Sequence, residues 1–184
     1  MSKKIAVVLA DGFEEIEAIT PIDIWRRAGL EVIITGLTGK TVKGAHGIRV
    51  EADALLKDLK ETPDVIFLPG GLPGATNLAD SKELIDLIQK MNREKKLVTA
   101  ICASPALTLQ KSGVLEGKKA TCYPGFEKNF SSSVSFTEDR VVVDGNVITS
   151  RGPGSSAEFA LKLVEQLVSK EKAQKLTNAL LLKV

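Results

Sequence analysis

Residues 97–106, Leu97-Val98-Thr99-Ala100-Ile101-Cys102-Ala103-Ser104-Pro105-Ala106, decide the reading of this chain. The apolar run Leu97–Ile101 reads as a buried strand, and Ser104-Pro105 as the opening of a helix. Between them lies one sharp turn that carries a thiol. A helix start offers free backbone N–H groups and a positive dipole end. Both favour thiolate over thiol, and thiolate is the reactive form of cysteine. The competing reading makes Cys102 a small buried hydrophobe, as most free cysteines are.

Outward from this turn the pattern repeats. Ile5–Leu9, Glu31–Thr35 and Val65–Leu68 are short apolar runs of strand type. Glu14–Ala28 has helical spacing, with Gly29 as its stop and Pro21 expected to kink it or break its first turns. Lys82–Arg93 is apolar on one helical face, and Ser104–Lys111 forms the helix after the thiol turn. Thr41–Val50 reads as a β-hairpin around Gly44 and Gly47. Lys118–Tyr123 and Val134–Glu138 read as short strands. Arg140–Val143 and Asn146–Thr149 flank Asp144-Gly145, a strong hairpin signal. Helices follow from Ser155 or Ser156 to about Val168 and over Lys172–Leu182. Strands alternating with amphipathic helices predict an α/β fold, with a mostly parallel central sheet wrapped on both faces. No repeat or long linker divides the chain, so one domain over residues 1–184 is expected.

Composition narrows the function. The chain has 184 residues, 43% of them hydrophobic, enough for a substantial core without staples. Lys and Arg number 25 against 23 Asp and Glu, a net charge of +2 with no basic stripe. Nucleic acid and membrane surfaces are therefore not expected partners. The apolar stretch after Met1-Ser2-Lys3-Lys4 is too short for a signal h-region or a membrane span, so the expected location is cytoplasmic. The two cysteines should stay reduced there. They stand twenty positions apart with a single histidine, His46, in the chain, so no metal is expected.

In parallel sheets ligands gather beyond the carboxyl ends of the strands. Three distinctive segments fall there: Asp11–Glu17, Pro69–Gly74 and Cys102–Pro105. They should meet in space. A strand-to-helix turn lifts a nucleophile clear of the sheet. The N–H groups of Ala103 and Ser104 are candidate oxyanion donors. Pro69-Gly70-Gly71 offers a second donor, because glycine lets backbone approach a ligand closely. A nucleophilic thiol also needs a proton partner. His46 lies in the hairpin and reads as solvated. Glu14, Glu15 and Glu17 open the first helix, where negative charge is also ordinary dipole compensation. One of them facing an apolar pocket would hold its proton and share it with Cys102, and the residues alone do not say which. The Gly-rich stretches 70–74 and 151–154 match neither GxGxxG nor a Walker motif and read as tight turns. Cys122, in a predicted strand, reads as structural, and Trp25 as packing or interface.

Together, Ala10–Glu17 (ADGFEEIE), Arg26–Gly29 (RRAG), Pro69–Leu78 (PGGLPGATNL), Ala100–Pro105 (AICASP) and Thr149–Gly154 (TSRGPG) resemble the ThiJ/PfpI superfamily, specifically its DJ-one branch. The resemblance spans most of the chain. It implies a flavodoxin-like three-layer sandwich and a homodimer. It places Cys102 at the family's reactive, easily oxidised cysteine and Glu17 at the protonated glutamate that hydrogen-bonds it. Gly71 and Ala103 fall at the oxyanion-hole N–H groups, and Arg27 at an arginine near the pocket and dimer contact. Three positions depart from the pattern. Ala103-Ser104 replaces the His-Gly of the proteolytic branch, so protease activity is not expected. Tyr123 stands where a histidine often approaches the cysteine, which gives Tyr123 a possible donor role. His46 stands in place of a hairpin arginine, which weakens anion contact from that side.

The activity implied is that of a cofactor-free glyoxalase or deglycase. It would act on methylglyoxal and related 2-oxoaldehydes, or on their early adducts with amines and thiols. Cys102 and Glu17 would be catalytic. The alternative is a redox-sensing chaperone whose output follows oxidation of Cys102. A thiamine-pathway role ranks last, because no phosphate-binding signature accompanies it.

Overall fold

The computed structural model describes residues 3–183. Alternation along the strands builds the sheet. In β1 (Lys4–Leu9), Ile5, Val7 and Leu9 enter one apolar cluster and Val8 the other. In β6 (Val65–Leu68), Phe67 and Ile66 divide the same way, as do Ile101 and Val98 in β7 (Leu97–Ile101). A strand buried on both faces reads as a near-continuous apolar run, and these strands do.

The main sheet also contains β2 (Glu31–Gly36), β5 (Ala54–Leu55), β10 (Val141–Asp144) and β11 (Val147–Ser150). Its order is β10-β11-β7-β6-β1-β2-β5, and only the β10–β11 pair is antiparallel. Counting the long parallel strands β1, β2, β6, β7 and β11 along the chain, their spatial order is second, first, third, fourth, fifth. That is the flavodoxin winding, whose direction reverses between β1 and β6. Two small sheets lie outside it: the hairpin β3 (Thr41–Lys43) with β4 (Arg49–Glu51), and the parallel pair β8 (Lys119–Ala120) with β9 (Ser135–Phe136).

Helices cover both faces. On one side α1 (Glu15–Ala28), α5 (Ser156–Leu167) and α6 (Lys170–Ala179) pack around Trp25, Phe67 and Phe159. Trp25 meets Phe67 edge-on at 5.1 Å and Phe159 at 6.0 Å, and its indole N–H donates to the Ala160 carbonyl at 3.0 Å. On the other side α2 (Gly74–Asp80) and α3 (Lys82–Arg93) bury Leu78, Leu84, Ile88 and Met91.

Several expectations are corrected. α1 runs through Pro21 without a break. Pro21 supplies no N–H to the Glu17 carbonyl and an interior proline costs about 3 kcal/mol, but burial of Ala18, Ile22 and Trp25 holds the segment helical. α2 begins inside a stretch that reads as turn, because Pro73 and Gly74 mask a helix of about two turns. The segment after the thiol opens as a π-helix, Pro105–Leu109, before α4 (Gln110–Ser112). The strand expected over 118–123 shrinks to β8, which leaves Cys122 outside any strand. α6 starts two residues early, because the Ser169 hydroxyl accepts from the Lys172 N–H at 3.1 Å.

Candidate active site

The three segments meet at the carboxyl ends of β1, β6 and β7, beside the point where the winding reverses. After β7, Cys102 adopts φ 65°, the left-handed region that a non-glycine residue rarely enters. Its N–H donates to the Ser150 carbonyl at 2.9 Å and its carbonyl accepts from the Tyr123 N–H at 2.8 Å. Both bonds fix the strained turn and aim the side chain back over β6, a nucleophile-elbow geometry.

Gly70 explains why glycine follows Pro69. A Cβ there would lie 2.6 Å from the Cys102 Cβ, 2.7 Å from Glu17 Oε2 and 3.0 Å from the Cys102 sulfur. The thiol and carboxyl therefore close over one bare backbone atom. Glu17 is fully buried. Its Oε2 accepts from the Gly70 N–H at 2.8 Å, and its carboxyl is in hydrogen-bonding contact with the Cys102 thiol. Its Oε1 is buried without a hydrogen-bond partner. Of the three glutamates left open by the residues alone, only Glu17 faces the sulfur.

Burial pushes Glu17 up to about 7, and the neighbouring Glu14 carboxylate adds to the rise, while the hydrogen bonds from Cys102 and Gly70 oppose it. The expectation that the turn by itself favours thiolate is corrected. Burial pushes the Cys102 thiol up, followed by the charge and hydrogen bond of Glu17, and the N–H groups of Ala103 and Gly71 pull it down. The two groups thus compete for one proton in a space too small for two charges. With that proton on Glu17, the second upward push disappears and the carboxyl becomes a donor to sulfur. Cys102 is buried, with 9% of its surface open.

The remaining expected residues divide. Ala103 and Gly71 present N–H groups to the sulfur. The Ser104 hydroxyl instead donates to the Pro69 carbonyl at 2.6 Å and ties the two turns together. Gly70 spends its N–H on Glu17. Tyr123 enters the same corner: a Cβ on Gly152 would sit 3.0 Å from the Tyr123 ring and 4.0 Å from Glu17 Oε1. Arg27 does not join them within this chain. It lies ten residues, about 15 Å, along α1 from Glu17 and pairs with Asp23 at 2.8 Å on the exposed face.

Sequence reasoning missed Glu15. This buried carboxylate accepts from the His46 and Ile48 N–H groups at 2.8 and 3.3 Å and meets His46 Nδ1 at 2.9 Å. It hangs the hairpin on the start of α1. The Gly44-x-x-Gly47 spacing was the available signal, since the Gly44 Cα packs against this carboxylate. Cys122 is buried, and burial together with Glu127 pushes its thiol up to about 12, against the pull of Arg151.

The sequence matches the DJ-1/PfpI family over residues 3–166. The chain belongs to this family. It is 42% identical over 184 residues to Protein DJ-1 homolog B of Arabidopsis thaliana, covering 99% of this chain and 42% of that one. The chain thus spans less than half the length of that relative. It is 38% identical over 185 residues to the glutathione-independent glyoxalase DJR-1.2 of Caenorhabditis elegans, covering 98% of both. The structure of oxidized Toxoplasma gondii DJ-1 superposes with a TM-score of 0.95 at 42% identity, covering all of both chains. Cys102, Glu17, Gly71 and Ala103 lie together in one corner of this structure. Among the described residues no helix is long and apolar enough to cross a membrane.

Proposed function

We propose that this chain is a cysteine-dependent glyoxalase- or deglycase-type enzyme that needs no cofactor. One observation carries the reading: a thiol and a buried carboxyl close over Gly70 with two N–H groups aimed at the sulfur. The Caenorhabditis elegans relative's name supports the same chemistry. Cys102 thiolate attacks the aldehyde carbon of methylglyoxal, and Glu17 gives its proton to the new oxygen, leaving a hemithioacetal. The Glu17 carboxylate then removes the hydrogen of that carbon, the hydroxyl proton passes to the neighbouring ketone oxygen, and Glu17 returns the hydrogen to the neighbouring carbon, forming a lactyl thioester. Water cleaves the thioester to lactate and free thiol, so methylglyoxal plus water balances the cycle. Gly71 and Ala103 N–H groups stabilise the oxyanions. With an adduct, Cys102 displaces the amine or thiol from that carbon and Glu17 protonates it as it leaves, giving the same hemithioacetal; Tyr123 borders the substrate.

Cys102→Ser and Glu17→Gln should each abolish lactate formation from methylglyoxal, by at least a hundredfold. Turnover retained in either folded variant rejects the mechanism. A second reading, a redox-responsive chaperone, draws on the same donors, which would also hold an oxidised sulfur. Peroxide titration with peptide mass spectrometry separates the two, since the second requires Cys102 to oxidise before Cys122.

We further assign the chain to a homodimer and to the cytoplasm. Ile16 and Ile19 on α1 and Ile48 on the hairpin are large apolar residues left exposed on the side where the site opens. Both cysteines are free thiols, as a reducing compartment keeps them.

A further inference from the structure

The Tyr123 ring takes no part in the bond-making steps above, yet its backbone is held beside them at both ends. Its N–H donates to the Cys102 carbonyl at 2.8 Å, and its carbonyl accepts from the Phe126 N–H at 3.1 Å. The second bond closes the turn Tyr123-Pro124-Gly125-Phe126. Proline followed by a glycine, here at φ 89°, is the pattern of a type II turn. Proline presets its own φ and glycine takes the positive φ without strain, so the turn is stiff. It folds Phe126 back on Tyr123 in an edge-on ring pair with centroids 6.4 Å apart. Phe126 in turn packs against the apolar cluster that contains Cys102 and Ala103.

Gly152 ties this aromatic pair to the reacting carboxyl. Its backbone is extended, with φ 167°, and would accept an alanine. The space beside it would not. A Cβ there would lie 3.0 Å from Tyr123 Cδ2 and 3.5 Å from Cε2, with Glu17 Oε1 4.0 Å away. The ring edge and the carboxyl oxygen therefore flank one point over the Gly152 backbone. Glu17 is fully buried, and its two oxygens differ: Oε2 is held by the Gly70 N–H, whereas Oε1 has no hydrogen-bond partner among the described residues. Tyr123 is 45% exposed. A flat apolar surface thus stands open next to a polar atom with unused bonding capacity, the combination by which small-molecule sites orient a ligand.

We propose that Tyr123, backed by Phe126, is the specificity-determining surface of this site: it stacks the substituent of the carbonyl substrate, so that 2-oxoaldehydes carrying a flat aryl group are favoured over those carrying only a methyl. Glu17 Oε1 bonds the hydroxyl of the same substrate beside the ring. The inference rests on the glyoxalase-type reading, in which Cys102 attacks the aldehyde carbon and the substituent lies beyond the neighbouring ketone.

The test compares phenylglyoxal with methylglyoxal, which give mandelate and lactate by the same steps with one water each. It reads the ratio of their kcat/KM values in the full-length protein. Tyr123→Ala should lower the phenylglyoxal-to-methylglyoxal ratio about two- to twelvefold, the range that one aromatic pairing contributes. The loss should fall on the KM for phenylglyoxal, as expected of an interaction made in binding. Tyr123→Phe keeps the ring and should keep the ratio. Gly152→Ala displaces the ring without removing it and should lower the ratio as well. A ratio unchanged in Tyr123→Ala, or one that falls as far in Tyr123→Phe, overturns the stacking surface. If the folded wild type turns over neither aldehyde, the glyoxalase-type reading fails by itself, and alkylation then reads the surface. Cys102 should prefer iodoacetanilide to iodoacetamide more strongly than a free small-molecule thiol does, by peptide mass spectrometry, and Tyr123→Ala should remove that excess. No excess in the wild type overturns the surface.

Discussion

Glu17 is the residue whose protonation is worth most to this molecule. In an unfolded chain a glutamate titrates near 4.5, whereas folded Glu17 keeps its proton to about 7. Between those values the folded state binds the extra proton. Stability attributable to Glu17 is therefore complete below 4.5 and is lost as pH rises toward 7, a total of roughly 3 kcal/mol. Urea unfolding at pH 4.5 and 7.5 should show that loss in the wild type and little of it in Glu17→Gln. The same proton governs reactivity. Alkylation of Cys102 by iodoacetamide should rise through pH 7, where the pair gives up its first proton, and Glu17→Gln should lose that midpoint. The role of Glu17 was not legible from the residues alone, which offered three adjacent glutamates on one helix turn. What separates them is which side chain faces the bare backbone of Gly70.

At the scale of elements, the site depends on turns from distant segments being tied together. Ser104 joins the turn after β7 to the turn after β6 through its bond to the Pro69 carbonyl. Ser104→Ala strands that buried carbonyl, which should cost about 1–3 kcal/mol, and it loosens Gly70 and Gly71 against the sulfur. Denaturant unfolding should report the first effect, and a fall in the Cys102 alkylation rate the second. The strands and long helices were legible here because periodicity survives packing: α3 matches its expected bounds residue for residue. α2 was not, since its local signals are proline and glycine; the helix after the thiol was legible, but its π-helical opening over Pro105–Leu109 was not. Pro21 shows the reverse case, a strong local breaker overruled by the burial of its helix.

For the whole molecule, Trp25, Phe67 and Phe159 join α1, β6 and α5 in one contact set. Trp25→Ala removes the largest buried side chain and its bond to the Ala160 carbonyl. It should destabilise by about 3–5 kcal/mol in a calorimetric or denaturant measurement. The homodimer proposed above concerns the surface instead. Ile19→Glu should convert a species of twice 19.7 kDa into one of 19.7 kDa by light scattering, with the fold unchanged by circular dichroism.

By itself the sequence determined the alternation of strands and helices and the gathering of Cys102, the Gly70-Gly71 turn and the glutamates at one sheet edge. These follow from hydrophobic period and from the position of turns, which are local quantities. Only the tertiary structure decided that Glu17 rather than Glu14 or Glu15 meets the sulfur, that Glu15 holds the hairpin, that Arg27 points away, and that burial opposes the thiolate. Those outcomes depend on distances of a few ångströms between segments up to a hundred residues apart, and on the loss of solvent around them, neither of which leaves a periodic trace along the chain.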